Sequence, residues 1–153
     1  GDLIMGDDCS VWHQAVVRGD VNSITIGNRV NIQDGAVIHG TFENSATTIG
    51  NDVSIGHNAI VHGCTIEDRV LVGMGSVIMD DCVVGSNSVI AAGSVLPKNT
   101  FVPKGTVFAG VPAKKIKEVS LELQKGEIER IAANYIHYAS WFKREKNSPF
   151  GEF

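Results

Sequence analysis

Neutral imidazole is the commonest side-chain ligand for transition metals and a base near neutral pH. The chain holds five histidines: His13, His39, His57, His62 and His137. For any one alone, a solvated surface position is the ordinary explanation. His39, His57 and His62 are set apart because they fall in phase with a repeat described below. Three imidazoles with an open fourth position form the ligand pattern of a catalytic zinc site, not of a closed structural one. Polar side chains gather just upstream, in Asn31-Ile32-Gln33-Asp34 and in Arg18-Gly19-Asp20. An outward Gln33 amide could hydrogen-bond an oxygen held by such an ion, with Asn31 orienting the amide. Arg18 and Asp20 could form a charged pair across a subunit boundary. Cysteine chemistry has less support. Cys9, Cys64 and Cys82 are odd in number, far apart and without C-x-x-C spacing, which argues against a disulfide framework or a four-cysteine zinc site.

These residues must be positioned by the elements around them. The chain has 19 Val and 15 Ile but 5 Leu, and nearly all the Val and Ile precede residue 120. β-Branched side chains fit pleated strands and lose χ1 freedom in helices. The first three quarters therefore reads as strand. An apolar residue recurs at Met5, Val11, Val17, Ile26, Ile32, Ile38, Ile49, Ile55, Val61, Ile66, Val72, Ile78, Val84, Ile90, Leu96, Val102 and Phe108. Thirteen of the sixteen intervals between these heads are six residues; the others are nine, eleven and five. The fifth position of each unit is small or Val almost throughout, with Phe42 the exception inside the eleven-residue unit. Head and fifth position are four apart, so a strand turns both to one face.

Six residues cannot bury a face alone, but stacked coils can. Three six-residue sides make a triangular coil, so residues 5–113 supply about six coils at roughly 4.8 Å each. An antiparallel sandwich of short strands is the alternative, but its turns recur every 8–12 residues. On this frame His39 and His62 each follow a head, and those heads are one coil apart. Their rings should lie about one strand spacing apart, ~5 Å, and point the same way. His57 sits two places after Ile55 on the preceding side, across a corner and up to ~16 Å along the chain from His62. One chain can hardly close all three on one ion. A second copy could supply His57, and three copies about a three-fold axis would form three such sites.

Residues 120–146 change character. Ile128, Ile131, Tyr135, Tyr138 and Phe142 form an apolar stripe at helical spacing. Ser120 suits the helix start, Gly126 can divide it, and Lys143, Arg144 and Lys146 suit its end. The helix is expected to pack along the outside of the stack. Residues 147–153 read as frayed. The organisation is thus a β-helix over 1–113, then a linker and C-terminal helix over 114–153.

A net charge of −4, from 13 Lys+Arg against 17 Asp+Glu, and the lack of a long basic run argue against nucleic-acid binding. No apolar run approaches the ~20 residues of a membrane helix. Three reduced thiols and no secretory signal suit the cytoplasm. The opening Gly1-Asp2-Leu3 lacks an initiator Met, as it would if an upstream segment had been removed.

The chain resembles the gamma-class carbonic anhydrases, a branch of the left-handed β-helix hexapeptide-repeat proteins. The resemblance rests on Ser10-Val11-Trp12-His13-Gln14-Ala15-Val16-Val17-Arg18-Gly19-Asp20, Val30-Asn31-Ile32-Gln33-Asp34, Val37-Ile38-His39, Ser54-Ile55-Gly56-His57 and Ile60-Val61-His62. Leu71-Val72-Gly73-Met74-Gly75-Ser76 and Gly110-Val111-Pro112-Ala113-Lys114 match as well, but acyltransferases of this fold share them. The resemblance implies left-handed coils, a homotrimer, and zinc (iron in some members) at each subunit boundary. It implies His39 and His62 from one subunit and His57 from the next. Gln33 would lie near the bound hydroxide, Asn31 behind it, with Arg18, Asp20 and Asp34 at the interface. Tyr135 resembles a helix tyrosine that reaches the site in relatives.

Two departures stand out. The acidic proton-shuttle loop of active relatives is reduced to Glu43, and a second family glutamate, just after Arg-Gly-Asp, is replaced by Val21. The implied reaction is reversible hydration of carbon dioxide to bicarbonate, with Glu43 the remaining carboxylate for proton export and turnover expected to be low. The rivals are an acyl-CoA-dependent acyltransferase on the same fold and a metal-binding trimeric scaffold with little activity.

Overall fold

A six-residue side can meet the next at a corner only if the backbone reverses its curvature there. In the computed structural model, which describes residues 1–142, one position does this throughout. In every six-residue unit the third residue after the head has a left-handed backbone, with φ between 54° and 70°. Glycine fills it at Gly35, Gly75, Gly93 and Gly105, and Asp or Asn at Asp8, Asp52, Asn58, Asp81, Asn87 and Asn99. These are the residue types that tolerate that region. Gln14, Arg29 and Arg69 complete the set. A Cβ placed on Gly93 (φ +68°) would meet nothing within 4 Å, so substitution there costs conformation alone. Gly93→Val is expected to lower unfolding stability by about 1–2 kcal/mol in urea titration, and Gly93→Asn by a fraction of that.

The corners generate a triangular parallel β-helix of about six turns. The first face stacks Leu3–Met5, Ile24–Ile26, Thr47–Ile49, Thr65–Ile66, Val83–Val84 and Phe101–Val102. The second stacks Ser10–Val11, Asn31–Ile32, Ser54–Ile55, Leu71–Val72, Val89–Ile90 and Thr106–Gly110. The third stacks Val16–Val17, Val37–His39, Ile60–His62, Val77–Ile78 and Val95–Leu96. Heads pair with heads in register, as in Ile32 with Ile55 and Val61 with Ile78. All heads from Ile26 onward are buried. Met5, Val11 and Val17 are less so because the first coil has a neighbour on one side only.

The nine-, eleven- and five-residue intervals all fall at the same corner, between the third and first faces, in three successive coils. The chain departs from its period at one place, and that place adjoins His39 and His62.

The hexad does not announce what closes the stack. Ala113–Glu118 folds back antiparallel on Thr106–Gly110, so residues 114–118 are an edge strand where a linker was expected. Its three lysines make a charged outer edge, which discourages further strand pairing. Ser120 then caps the helix, its Oγ accepting from the Leu123 amide at 3.1 Å. The helix starts at Leu121–Leu123, widens to π-helical winding over Gln124–Glu129, which includes Gly126, and continues as Arg130–Phe142. It lies outside the second face, with Ile128 fully buried against Val89 and Val107. Of the apolar stripe, Tyr135 and Tyr138 are half-buried and Phe142 is exposed. Lys143, Arg144, Lys146 and residues 147–153 lie outside the described residues. No helix among the described residues is long and apolar enough to cross a membrane.

Candidate functional site

The parallel register sets His39 directly beside His62. Their ring centroids are 5.2 Å apart, the strand spacing expected for one position in adjacent coils. His39 Nδ1 faces His62 Nε2 at 3.2 Å. The opposite nitrogen of each ring meets a carboxylate: His39 Nε2 lies 3.2 Å from Asp20 Oδ1, and His62 Nδ1 lies 2.9 Å from Asp80 Oδ1. A carboxylate only accepts, so the ring nitrogen facing it bears the hydrogen. That leaves lone pairs on the two nitrogens that face each other; Arg18 Nη2 approaches that of His39 at 3.5 Å, and a shared cation would engage both. Two ligands about 2.0–2.1 Å from a tetrahedral ion are about 3.3 Å apart, so the separation found here suits zinc.

The irregular corner supplies the surrounding groups. Arg18 Nη1 donates to both Asp20 oxygens, at 2.9 and 2.7 Å, within one chain. The guanidinium holds the Asp20 carboxyl below the usual carboxylate range, and His39 adds to this. The eleven-residue unit folds as a tight loop closed by the Thr41–Ser45 bridge. Glu43 is exposed in it, with φ 52°. Thr47 Oγ1, buried below the loop, donates to the His39 carbonyl at 2.5 Å and accepts from the Gly63 amide at 3.0 Å.

His57 occupies the other corner flanking the third face. Its Nδ1 lies 3.0 Å from Asp34 Oδ2, while His13 Nδ1 approaches Asp34 Oδ1 at 3.4 Å. Beside this column runs a buried amide chain. Gln33 Nε2 donates to Asn31 Oδ1 at 3.0 Å, and Asn31 Nδ2 donates to Ser54 Oγ at 2.8 Å. Gln33 and Asn31 are 5% and 2% exposed, so each is held in one orientation, and Gln33 Oε1 is left as an acceptor. Tyr135 packs edge-on against Trp12, with centroids 5.2 Å apart, in an aromatic pocket that also includes His13, Asp34 and Trp141. Burial, with Asp34 nearby, pushes the Tyr135 phenol up, so at neutral pH it is a donor.

Thus His39, His62, Arg18 and Asp20 share one corner, and His57, Asp34, Gln33 and Asn31 share the next. Among the described residues no three His, Cys, Asp or Glu side chains of one chain surround a common point fit for a metal. The sequence reading did not include Asp80 or Ser54. Ser54 was legible, since it pairs with Asn31 in register. Cys64 and Cys82 are unsuited to nucleophilic chemistry: both are buried, and burial pushes both thiols up.

The fold and the histidine pair define a hexapeptide-repeat β-helix protein with two paired imidazoles at one corner. Residues 46–78 and 63–98 match the family described as bacterial transferase hexapeptide (six repeats). A carbonic anhydrase of Geobacillus kaustophilus is 40% identical over 94% of this chain and 78% of its own length. A probable carbonic anhydrase of Methanocaldococcus jannaschii is 45% identical over 90% of this chain and 84% of its own. A solved structure of a putative acetyltransferase from Bacillus cereus superposes with a TM-score of 0.88 at 38% identity, covering 94% of this chain and 82% of that one. The chain belongs to the gamma-type carbonic anhydrase family of hexapeptide-repeat proteins.

Proposed function

We propose that this protein hydrates carbon dioxide reversibly to bicarbonate as a zinc-dependent homotrimer, with iron the alternative metal. The observation that carries this reading is the His39–His62 pair, two imidazole lone pairs 3.2 Å apart with both outer nitrogens engaged by carboxylates. His39 and His62 would hold the ion from one protomer and His57 from its neighbour. The third face supports a three-fold assembly. Its outward residues are Val16, Val37, Ile60, Val77 and Val95, an apolar stripe that the helix leaves uncovered. The histidine pair stands at one edge of this face and His57 at the other. A ring that closes head to tail around such faces brings unlike edges together.

Held by these three histidines, zinc would supply a nucleophile at neutral pH by bringing the pKa of its water to about 7, as in carbonic anhydrases generally. The chain's own groups orient and deprotonate. Gln33 Oε1, fixed through Asn31 and Ser54, is an acceptor that would orient a hydroxyl hydrogen beside the ion. Asp20 and Asp34 fix the rings of His39 and His57 by accepting from them. Glu43 is the carboxylate that passes the released proton to solvent, and Tyr135 offers a phenolic hydrogen beside Asp34. Arg18 holds Asp20 at the subunit edge. With Glu43 alone in the loop, turnover is low. Three free thiols, two of them buried, fit a reducing compartment such as the cytoplasm.

Metal analysis of the purified protein and a stopped-flow hydration assay on the zinc-loaded form test this reading. Absence of both metal and rate would overturn it. Gln33→Ala is expected to lower the hydration rate about 10–100-fold with zinc content unchanged. The likeness to a putative acetyltransferase favours a second reading, acyl transfer from acyl-CoA. A coenzyme A titration separates the two, since saturable binding is expected only for the transferase. Stoichiometric metal with neither rate nor coenzyme A binding would indicate a metal-stabilised scaffold.

A further inference from the structure

Asp80 is half-buried beneath His62, and no part of the proposed chemistry uses it. Its Oδ1 lies 2.9 Å from His62 Nδ1 and accepts from Thr41 Oγ1, also at 2.9 Å. The next residue, Asp81, accepts from Ser45 Oγ at 2.7 Å. Two successive carboxylates therefore fasten both ends of the loop that carries Glu43. Room for Asp80 is made by the single five-residue unit. There Gly63, two places after its head, takes the left-handed turn one residue early, with φ +53°. A Cβ on Gly63 would lie 2.2 Å from Asp80 Oδ1 and 2.7 Å from Ser45 Cβ. The residue deleted from the period and the glycine that follows leave a space that this carboxylate fills.

We propose that Asp80 is a positioning residue for the metal site. It accepts the Nδ1 hydrogen of His62 and so presents Nε2 as the ligand nitrogen. The Thr41 hydroxyl orients the carboxylate, which couples His62 to the root of the Glu43 loop. The inference deepens the zinc reading and rests on it. A purely structural Asp80 would affect the loop and the stability of the metal-free protein, but not the tautomer of His62.

Two readouts test this on the full chain. In the metal-free protein, long-range proton–nitrogen correlation NMR should show His62 as the Nδ1–H tautomer. Asp80→Ala should shift it toward the commoner Nε2–H form, whereas Ser45→Ala, which frees only the Asp81 fastening, should not. Zinc competition against a chromophoric chelator should show a 10–100-fold weaker affinity for Asp80→Ala, with partial recovery in Asp80→Asn, whose Oδ1 still accepts. A wild-type protein that holds zinc, joined with an Asp80→Ala variant of equal affinity and unchanged His62 tautomer, overturns the proposal. A wild-type protein that binds no zinc while its His62 is Nδ1-protonated overturns the zinc reading alone. Should Asp80→Ala fail to fold, Thr41→Val supplies the second arm. It is expected to weaken zinc two- to tenfold, and an unchanged affinity there counts against the coupling.

Discussion

Co-assembly of two inactive variants, His57→Ala and His62→Ala, is expected to restore about one quarter of the wild-type sites. Each variant alone should retain no zinc and show no hydration, because every site in its homotrimer lacks a ligand. In a mixed trimer a His57→Ala protomer still carries the His39–His62 pair. A His62→Ala neighbour still presents His57, with Asp34 at its Nδ1. Random assembly of equal amounts places such a protomer and neighbour in the right order at about one boundary in four. Zinc content and rate should rise together on mixing denatured variants and refolding them. The loss in each single variant should exceed the roughly 10–100-fold that an outer partner of a ligand is worth. His57→Ala with stoichiometric zinc and full rate would remove the boundary site. A refolded mixed trimer that stays without zinc and inactive would count against the shared boundary site.

This prediction was accessible from the sequence because a solenoid projects sequence onto space by a fixed rule. Two residues at the same place in units one coil apart must be neighbours, and His39 and His62 met that condition despite the 23 residues between them. The same rule applied at the second position after the head would have aligned His13, Asp34 and His57, the column now seen on the second corner. The resemblance places Asp34 at the interface, and within the chain it stands between His13 and His57. Other features were illegible for physical reasons. Asp80 stands one residue beyond the register partner of His62 and reaches it because Gly63 turns early, which the period cannot foresee. The Ala113–Glu118 strand obeys no hexad because it caps the stack instead of extending it. The π-helical winding over Gln124–Glu129 has no signature in the apolar spacing, and its Ile128 packs on Val89 and Val107, distant in sequence. With Arg18 paired to Asp20 inside one chain, the Arg-Gly-Asp segment meets the site through both residues, Asp20 at His39 Nε2 and Arg18 Nη2 at His39 Nδ1.

The inner and outer sides of the coil wall should fail in different ways. Ile55 and Ile60 are five residues apart and lose the same atoms on change to Ala. Ile55 is fully buried in the stack between Ile32 and Val72. Ladders above and below hold the coils at about 4.8 Å, so a void left there cannot collapse. Ile55→Ala is expected to cost about 3–5 kcal/mol, the upper part of the range for core truncation, in urea titrations of the metal-free protein. Ile60 points outward on the uncovered third face and is 38% exposed. Its truncation should leave the unfolding of an isolated protomer nearly unchanged. Its effect should emerge as weaker assembly, seen as a dissociation midpoint that moves to higher protein concentration in analytical ultracentrifugation. Ile60→Asp should abolish trimers outright, and zinc retention with them, because the edges bearing His57 and the His39–His62 pair would no longer meet. A monomeric Ile60→Asp that still held stoichiometric zinc would break the link between the apolar face and the metal, and a fully trimeric one would place the interface elsewhere.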